Sequence, residues 1–259
     1  MANLWAYRNL ALSFLQREIS SRYIGSVTGL FWILLHPLAL LGIYSAVFTL
    51  VFRVILPDTV DIGYTAFVAL ALWPWLAFSE SVQRGALAIQ ANAGLVKKVA
   101  FPNELLVHSA VGATYAVHGA GFLAALGVIA LAGNALHFKA LPLVLFFLSI
   151  QLLFTLGLAL AAAALQALLK DVEHFLAPLM MIWFYATPVL YSVAMLPERL
   201  QPYMLLNPMT YPVARIRELL MHGGGLVMSD GLALLVGVMV FLLGRWFFNR
   251  LAPHFEDFL

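Results

Sequence analysis

The sequence predicts an all-α membrane protein of six transmembrane helices, preceded by an amphipathic helix lying in the membrane interface. Three observations carry that expectation. Hydrophobic residues make up 63% of the chain and charged residues 10%, with a mean hydropathy of +0.95; soluble domains hold roughly 45–50% and 25%. A soluble core of this length still leaves roughly a quarter of its unfolded surface exposed, so lipid must solvate much of the chain. Long stretches also lack every Asp, Glu, Lys and Arg, and a membrane helix needs about 20 mostly apolar residues. Finally, the basic residues are distributed unevenly between the connections.

The elements follow in order. On a helical wheel, Leu4, Trp5, Tyr7, Ala11, Leu12, Phe14, Leu15 and Ile19 share one side, and Asn9, Ser13, Gln16, Arg17 and Ser20 the other. That pattern fits an interfacial helix over 3–24, with Trp5 and Tyr7 as belt residues. It differs from a secretory signal, which has a charged start and a compact apolar core. Spans are expected at 30–52, 62–79, 105–132, 140–169, 175–197 and 231–248. The second carries Pro74 between Trp73 and Trp75, read as interfacial belt residues. The sixth contains Arg245, read as snorkelling to the surface. If both termini are cytoplasmic, nine Lys and Arg residues lie inside and five outside, so the positive-inside rule places the termini in the cytoplasm.

Several kinds of chemistry are missing. No G-x-x-x-x-G-K-[ST] loop cradles phosphates, so the chain is not expected to hydrolyse ATP by itself. His222-Gly223-Gly224-Gly225 resembles an oxyanion loop but has no G-x-S-x-G elbow to serve, and reads as a turn before the sixth span. The histidines show no ligand spacing, and cysteine is absent, so no metal or disulfide is expected. No basic run suits nucleic acid. Asp171, Glu173 and His174 beside Lys170 could do acid–base work; the reading taken is a solvated turn. Spans one, three, four and five carry no Asp, Glu, Lys or Arg, which argues against an ion-coupled carrier. Such a bundle must borrow its energy from a partner.

The residues also carry a family pattern. Gln16-Arg17-Glu18-Ile19-Ser20-Ser21-Arg22-Tyr23-Ile24-Gly25-Ser26-Val27-Thr28-Gly29-Leu30-Phe31-Trp32, followed by His36-Pro37, resembles the opening of the membrane subunits of polysaccharide ABC exporters. Thr187-Pro188-Val189-Leu190-Tyr191 and Leu206-Asn207-Pro208-Met209 are similar to that family's fifth span and outer loop. Lys170-Asp171-Val172-Glu173-His174 looks like its second cytoplasmic turn, with Lys170 where Arg is usual. The likeness runs through essentially the whole chain.

The resemblance implies a half-transporter in the bacterial cytoplasmic membrane. Two copies would form the channel, and two separate ATPase subunits would supply ATP and Mg chemistry. The cargo would be a lipid-linked glycan such as O-antigen, teichoic acid or capsular polysaccharide. A same-architecture exporter of a drug, lipid or lipo-oligosaccharide is the alternative; an intramembrane enzyme is a more distant one. The family's fold further implies two short re-entrant helices, 196–203 and 210–222, within an outer gate segment at 198–225. Asn207-Pro208 splits them, since Pro lacks a donor and biases its predecessor away from helix.

Site expectations follow. Tyr44, Phe48 and Phe52 share a helix face at i, i+4 and i+8, and Trp183, Tyr185 and Tyr191 lie in the fifth span. Aromatic faces stack on sugar rings and tolerate sliding, which would suit a polymer path; a chain this aromatic also yields stripes by accident. Asn92, Leu95, Lys97, Lys98 and Phe101, together with Lys170, Asp171 and Glu173, would meet the ATPase. Arg22, with Gly25 after it, would capture the diphosphate of a lipid carrier, or simply anchor the interface.

Overall fold

The computed structural model describes residues 7–22, 29–54, 56 and 62–259, the side chains of 29–34 excepted. Leu4, Trp5 and Gly25 lie outside the described residues. Every regular element among the described residues is helical. The order is α1 (Arg8–Ser21), α2 (Gly29–Ala46, running on as a π-helical turn Val47–Val51), α3 (Tyr64–Leu87), α4 (Ala93–Val96), α5 (Glu104–Leu131), α6 (Leu141–Leu168), α7 (Val172–Ala186), α8 (Gln201–Met204), α9 (Thr210–His222), α10 (Met228–Leu251) and α11 (Phe255–Phe258). Among the described residues, four segments are long and apolar enough to cross a membrane: Tyr64–Leu87, Glu104–Leu131, Phe138–Leu168 and Met228–Phe258. The apolar helices Leu35–Val51 and α7 are shorter.

Helix α3 is the axis of the bundle, with α2, α5, α6, α7 and α9 packed around it. Trp73 and Trp75 are therefore core residues, buried on all sides, and not the belt residues expected from their place beside Pro74. Gln151 of α6 donates to the Pro74 carbonyl at 2.7 Å, so a neighbouring helix supplies a bond at the level of the proline. The helix also runs past 79, the expected end, through Glu80 and Arg84 to Leu87. It can do so because these charges pair within the protein: Arg84 Nε donates to Glu80 at 2.5 Å.

Two apolar clusters fill the bundle. The one at the α9 end gathers Phe67, Trp73, Phe147, Met209, Ile216 and Leu219. The one at the α1 end gathers Phe14, Ile89, Leu106, Leu160, Phe248 and Phe255. Helix α1 lies against α5: Leu15 reaches Gly112, and Phe14 meets Phe101 edge-on at 5.6 Å. Its apolar stripe thus has a protein neighbour, where the sequence predicted only a membrane to face.

Helices α6 and α10 make the closest pairing. Gly237 and Gly244 are two turns apart on α10, opposite Ile150 and Gly157 on α6. A Cβ at Gly244 would overlap the Gly157 carbonyl, and one at Gly157 would overlap the backbone of Val240. In lipid, where apolar surface alone gives no drive to associate, such close backbone approach is a main source of helix–helix attraction. Arg245, expected to snorkel, instead closes a two-pronged pair with buried Glu104 at 2.8 and 3.0 Å. An ionised side chain inside a span is best satisfied by a carboxylate on the next helix.

The fifth expected span, 175–197, corresponds to a shorter helix. α7 begins at Val172 and stops at Ala186 because Pro188 forces Thr187 out of the helical region, to φ −103° and ψ 137°. Replacing Gly244 with Leu should force α6 and α10 apart, at a cost of about 3 kcal/mol or more. The check is thermal unfolding of the purified protein in detergent; an unchanged midpoint would refute the tight seam.

Candidate functional site

The α9 end is organised around one amide. Asn207 Oδ1 accepts from Trp183 Nε1 at 2.8 Å and from the Met209 backbone at 3.0 Å. Its Nδ2 donates to the Ala186 carbonyl and to Thr187 Oγ1, both at 2.9 Å. Asn207 therefore ties the end of α7 to the start of α9. Trp183, Tyr191, Asn207 and Pro208 are brought together on one cleft of about 580 Å³, which Leu196, Leu200 and Tyr203 complete.

The other aromatic candidates divide between packing and surface. Tyr44 stacks on Phe184 at 5.6 Å and Phe48 on Tyr64 at 5.7 Å. Trp183 stands edge-on to Phe78 at 5.2 Å, joined by Trp75 and Phe154. Tyr185 and Phe52 are exposed, and Tyr191 Oη donates to the Tyr185 carbonyl at 3.0 Å. The rings form an aromatic wall over α2, α3 and α7 in two sets, one joining Tyr44, Phe184, Tyr185, Trp75 and Trp183 and the other joining Phe52, Phe48, Tyr64 and Phe67; Tyr185 and Phe52 are their exposed members.

Charges buried beside this wall were not legible as such in the sequence, which counted Arg215 and Arg217 only among the five basic residues placed outside. Arg217 lies 3.6 Å over the Phe67 ring and donates to the carbonyls of Pro188 and Val189 at 3.1 and 2.8 Å. Tyr64 Oη takes the next carbonyl, Leu190, at 2.8 Å. The three carbonyls after α7 are thereby fixed to α9 and α3. Arg215 pairs with Glu218 at 2.9 Å and with Asp230 at 3.3 Å, which pins α9 to the start of α10. No sequence pattern singled them out: Arg215 and Arg217 lie two residues apart on opposite sides of α9, and both are buried because the helix is enclosed almost all round.

At the α1 end the two segments expected to meet an ATPase are joined. Gln166 Nε2 donates to Gln90 Oε1 at 2.7 Å and to the Lys170 carbonyl at 3.2 Å, while its Oε1 accepts from the Glu173 backbone at 2.8 Å. Asn92 accepts from Arg17 of α1 at 2.5 Å. Phe101 packs on Phe14, and Leu95 is half-buried against the same cluster. Lys97, Lys98, Lys170 and Asp171 are left exposed on the surface these bonds stiffen, with Glu173 half-buried beside them.

Arg22 is not a loose surface cation. Its guanidinium donates to Thr114 Oγ1 at 2.6 Å and lies 3.8 Å from Glu80 and 3.9 Å from Glu18. Gly25, its expected companion, lies outside the described residues. Among the described residues no cluster of His, Cys, Asp and Glu could hold a metal ion.

Among the described residues the bundle is all helical, with four segments long and apolar enough to cross a membrane. Comparison with known proteins agrees with that class: residues 10–221 match the ABC-2 type transporters. The chain belongs to the ABC-2 type transporter family. Among its relatives in that family, the O-antigen export system permease protein RfbA of Myxococcus xanthus is 36% identical over 214 residues, covering 80% of this chain and 78% of that protein. A protein of the same name from Klebsiella pneumoniae is 28% identical over 264 residues, covering 99% and 97%. The family match ends at 221, one residue short of the end of α9, and takes in Asn207 and both stiffened segments.

Asn207→Ala should leave Trp183 Nε1 and the Ala186 carbonyl without their partner, destabilising the α9 end by on the order of 3 kcal/mol. A fall in the detergent melting midpoint with an altered tryptophan emission spectrum is expected; no change in either would show that the four bonds are dispensable.

Proposed function

We propose that the chain is the channel-forming membrane subunit of an ATP-driven exporter that moves a lipid-linked polysaccharide across the bacterial cytoplasmic membrane. The observation that carries this reading is the full-length likeness to O-antigen export permeases, together with a membrane bundle that has no phosphate-cradling loop of its own. On this reading α2, α3, α5, α6, α7 and α10 are the six spans, α1 rests at the cytoplasmic interface, and both termini are cytoplasmic. Two copies face each other, and each engages one ATPase subunit that binds ATP and Mg.

The parts take roles accordingly. Tyr44, Phe48, Phe52, Trp183, Tyr185 and Tyr191 form the sugar-stacking wall. The 198–225 segment, with Asn207-Pro208 at its break, closes the outer mouth as a pair of re-entrant helices. Asn92, Leu95, Lys97, Lys98, Phe101, Lys170, Asp171 and Glu173 receive the ATPase, and Arg22 and Gly25 meet the lipid diphosphate. A membrane subunit moves only when nucleotide states bind it differentially, so the joint formed by Gln166 is where that difference enters. Conversely, the exposed basic pair carries charge without supporting the fold, which makes it the clean place to test coupling.

Removing the gene should trap the lipid-linked glycan on the cytoplasmic side, and the wild-type copy should restore surface polysaccharide. Tyr44→Ala with Phe48→Ala should impair export while the subunit still assembles with its ATPase. Lys97→Glu with Lys98→Glu should uncouple ATP hydrolysis from export. Full complementation by either double variant removes that assignment, and normal surface glycan in the deletion strain refutes the function.

A further inference from the structure

Helix α10 places Ala233 and Gly237 one turn apart on a single face, and side chains this small leave space where larger ones would close it. The space is a cavity of about 590 Å³. Ile150, Gln151 and Phe154 of α6 form a second wall, and the break between α8 and α9, with Asn207 and Pro208, forms a third. Leu205, Leu206 and Leu232 also line it and are exposed, so its mouth is apolar. Small-molecule sites have volumes of roughly 300–1,000 Å³, with apolar walls and few polar groups. This cavity has that character.

Three of the polar side chains on its wall are engaged elsewhere. Asn207 makes the four bonds described above, and Tyr211 Oη is shared with Ser229 and Asp230. Gln151 differs. It is wholly buried, and its Nε2 is turned to the Pro74 carbonyl of α3 at 2.7 Å. None of the lining residues belongs to α3, so the opposite edge of the amide faces the cavity. The oxygen on that edge, Oε1, has no hydrogen-bond partner among the described residues.

A buried acceptor without a donor costs free energy that a matching donor recovers. Water is a poor match, because it needs two to four polar partners and finds one here. An ammonium group would bring a charge with no counter-ion at depth. A sugar would bring several hydroxyls to a single free acceptor, and each unmatched one would be penalised. A lone hydroxyl on an aliphatic chain fits on every count. Dissolved in hydrocarbon it also lacks a partner of its own, so both groups gain when they meet.

We propose that this cavity binds a membrane-dissolved aliphatic alcohol, with its hydroxyl donated to Gln151 Oε1 and its chain running out past Leu205, Leu206 and Leu232 into the bilayer. The site is separate from the proposed sugar-stacking wall, although Asn207 and Pro208 line both this cavity and the cleft beside Trp183. An occupant would therefore brace the break between α8 and α9 against the α6–α10 pair.

The test uses the full chain in phosphatidylcholine nanodiscs and hexadecanol carrying a photoreactive diazirine in its chain, with the labelled peptides mapped by mass spectrometry. Labelling should fall within 205–212 and 232–237. Unlabelled 1-hexadecanol should compete about tenfold better than its methyl ether, which keeps the chain but has no donor. Gln151→Met should erase that preference, and Ala233→Trp, which fills the cavity, should abolish the labelling. The proposal is overturned if neither segment is labelled, or if alcohol and ether compete equally in the wild-type chain. A preference that survives Gln151→Met, or labelling that survives Ala233→Trp, overturns it too. Should Gln151→Met fail to fold, the wild-type preference and Ala233→Trp decide. Export is read separately, by restoration of surface polysaccharide, so neither outcome bears on the cargo.

Discussion

Hydrocarbon neither donates nor accepts hydrogen bonds, and the bundle is arranged around that fact. Each polar group placed at depth has to be met by another part of the chain, so the polar contacts become the joints between helices. Gln151 meets the carbonyl of Pro74 and fastens α6 to α3; Tyr115 and Thr155, 2.8 Å apart, fasten α5 to α6. Glu104 and Arg245 fasten α5 to α10, and Arg217 fastens α9 to the strand of carbonyls leaving α7. These bonds contribute modestly one by one, but breaking any leaves a group that lipid cannot satisfy. They therefore set the register of helices whose apolar surfaces would slide.

Apolar packing fills the space the joints define. The aromatic residues do most of this at the α9 end, where Trp75, Phe78, Phe154, Trp183 and Phe184 interlock mostly edge-on or tilted, as the quadrupoles of their rings favour. The same cluster supplies the indole that Asn207 captures, so the break between α8 and α9 is held by one polar bond set on a rigid apolar base. At the α1 end small residues dominate α6, with Ala159, Ala163, Ala164 and Ala167 buried. That lets α3 come close enough for Gly85 to face Ala159 directly.

Much of this was legible in the sequence. Charge-free stretches located the membrane helices, the amphipathic pattern located α1, and the short motifs around Arg22, Lys170 and Asn207 indicated the family. What escaped was anything that depends on a partner far away in the chain. Arg245 read as a snorkelling residue because its carboxylate is 141 positions distant. Glu80 read as the end of a span because His118 and Arg22 were invisible to a window of hydropathy. Trp73 and Trp75 read as belt residues because no local pattern says that α3 is surrounded. The second stretch that the resemblance implied, 210–222, coincides in extent with α9; at 196–203 the structure has only the end of a turn after Val193–Met195 and the start of the short α8.

The glycine seam between α6 and α10 has a mechanical meaning. Two long helices whose backbones touch have almost no freedom to rotate or slide against each other, because close-packed interiors hold few voids and are barely compressible. α7, by contrast, touches its neighbours sparingly and has exposed apolar residues such as Phe175, Met181 and Ile182. α6 and α10 thus form the rigid frame, to which α7 is tied through Trp183, Phe184 and Asn207. Buried close contacts tolerate little redesign, whereas exposed helix faces can be changed one residue at a time. Diversity in what such a machine handles is therefore expected to accumulate on α2 and α7, while Gly157, Gly237 and Gly244 stay as they are.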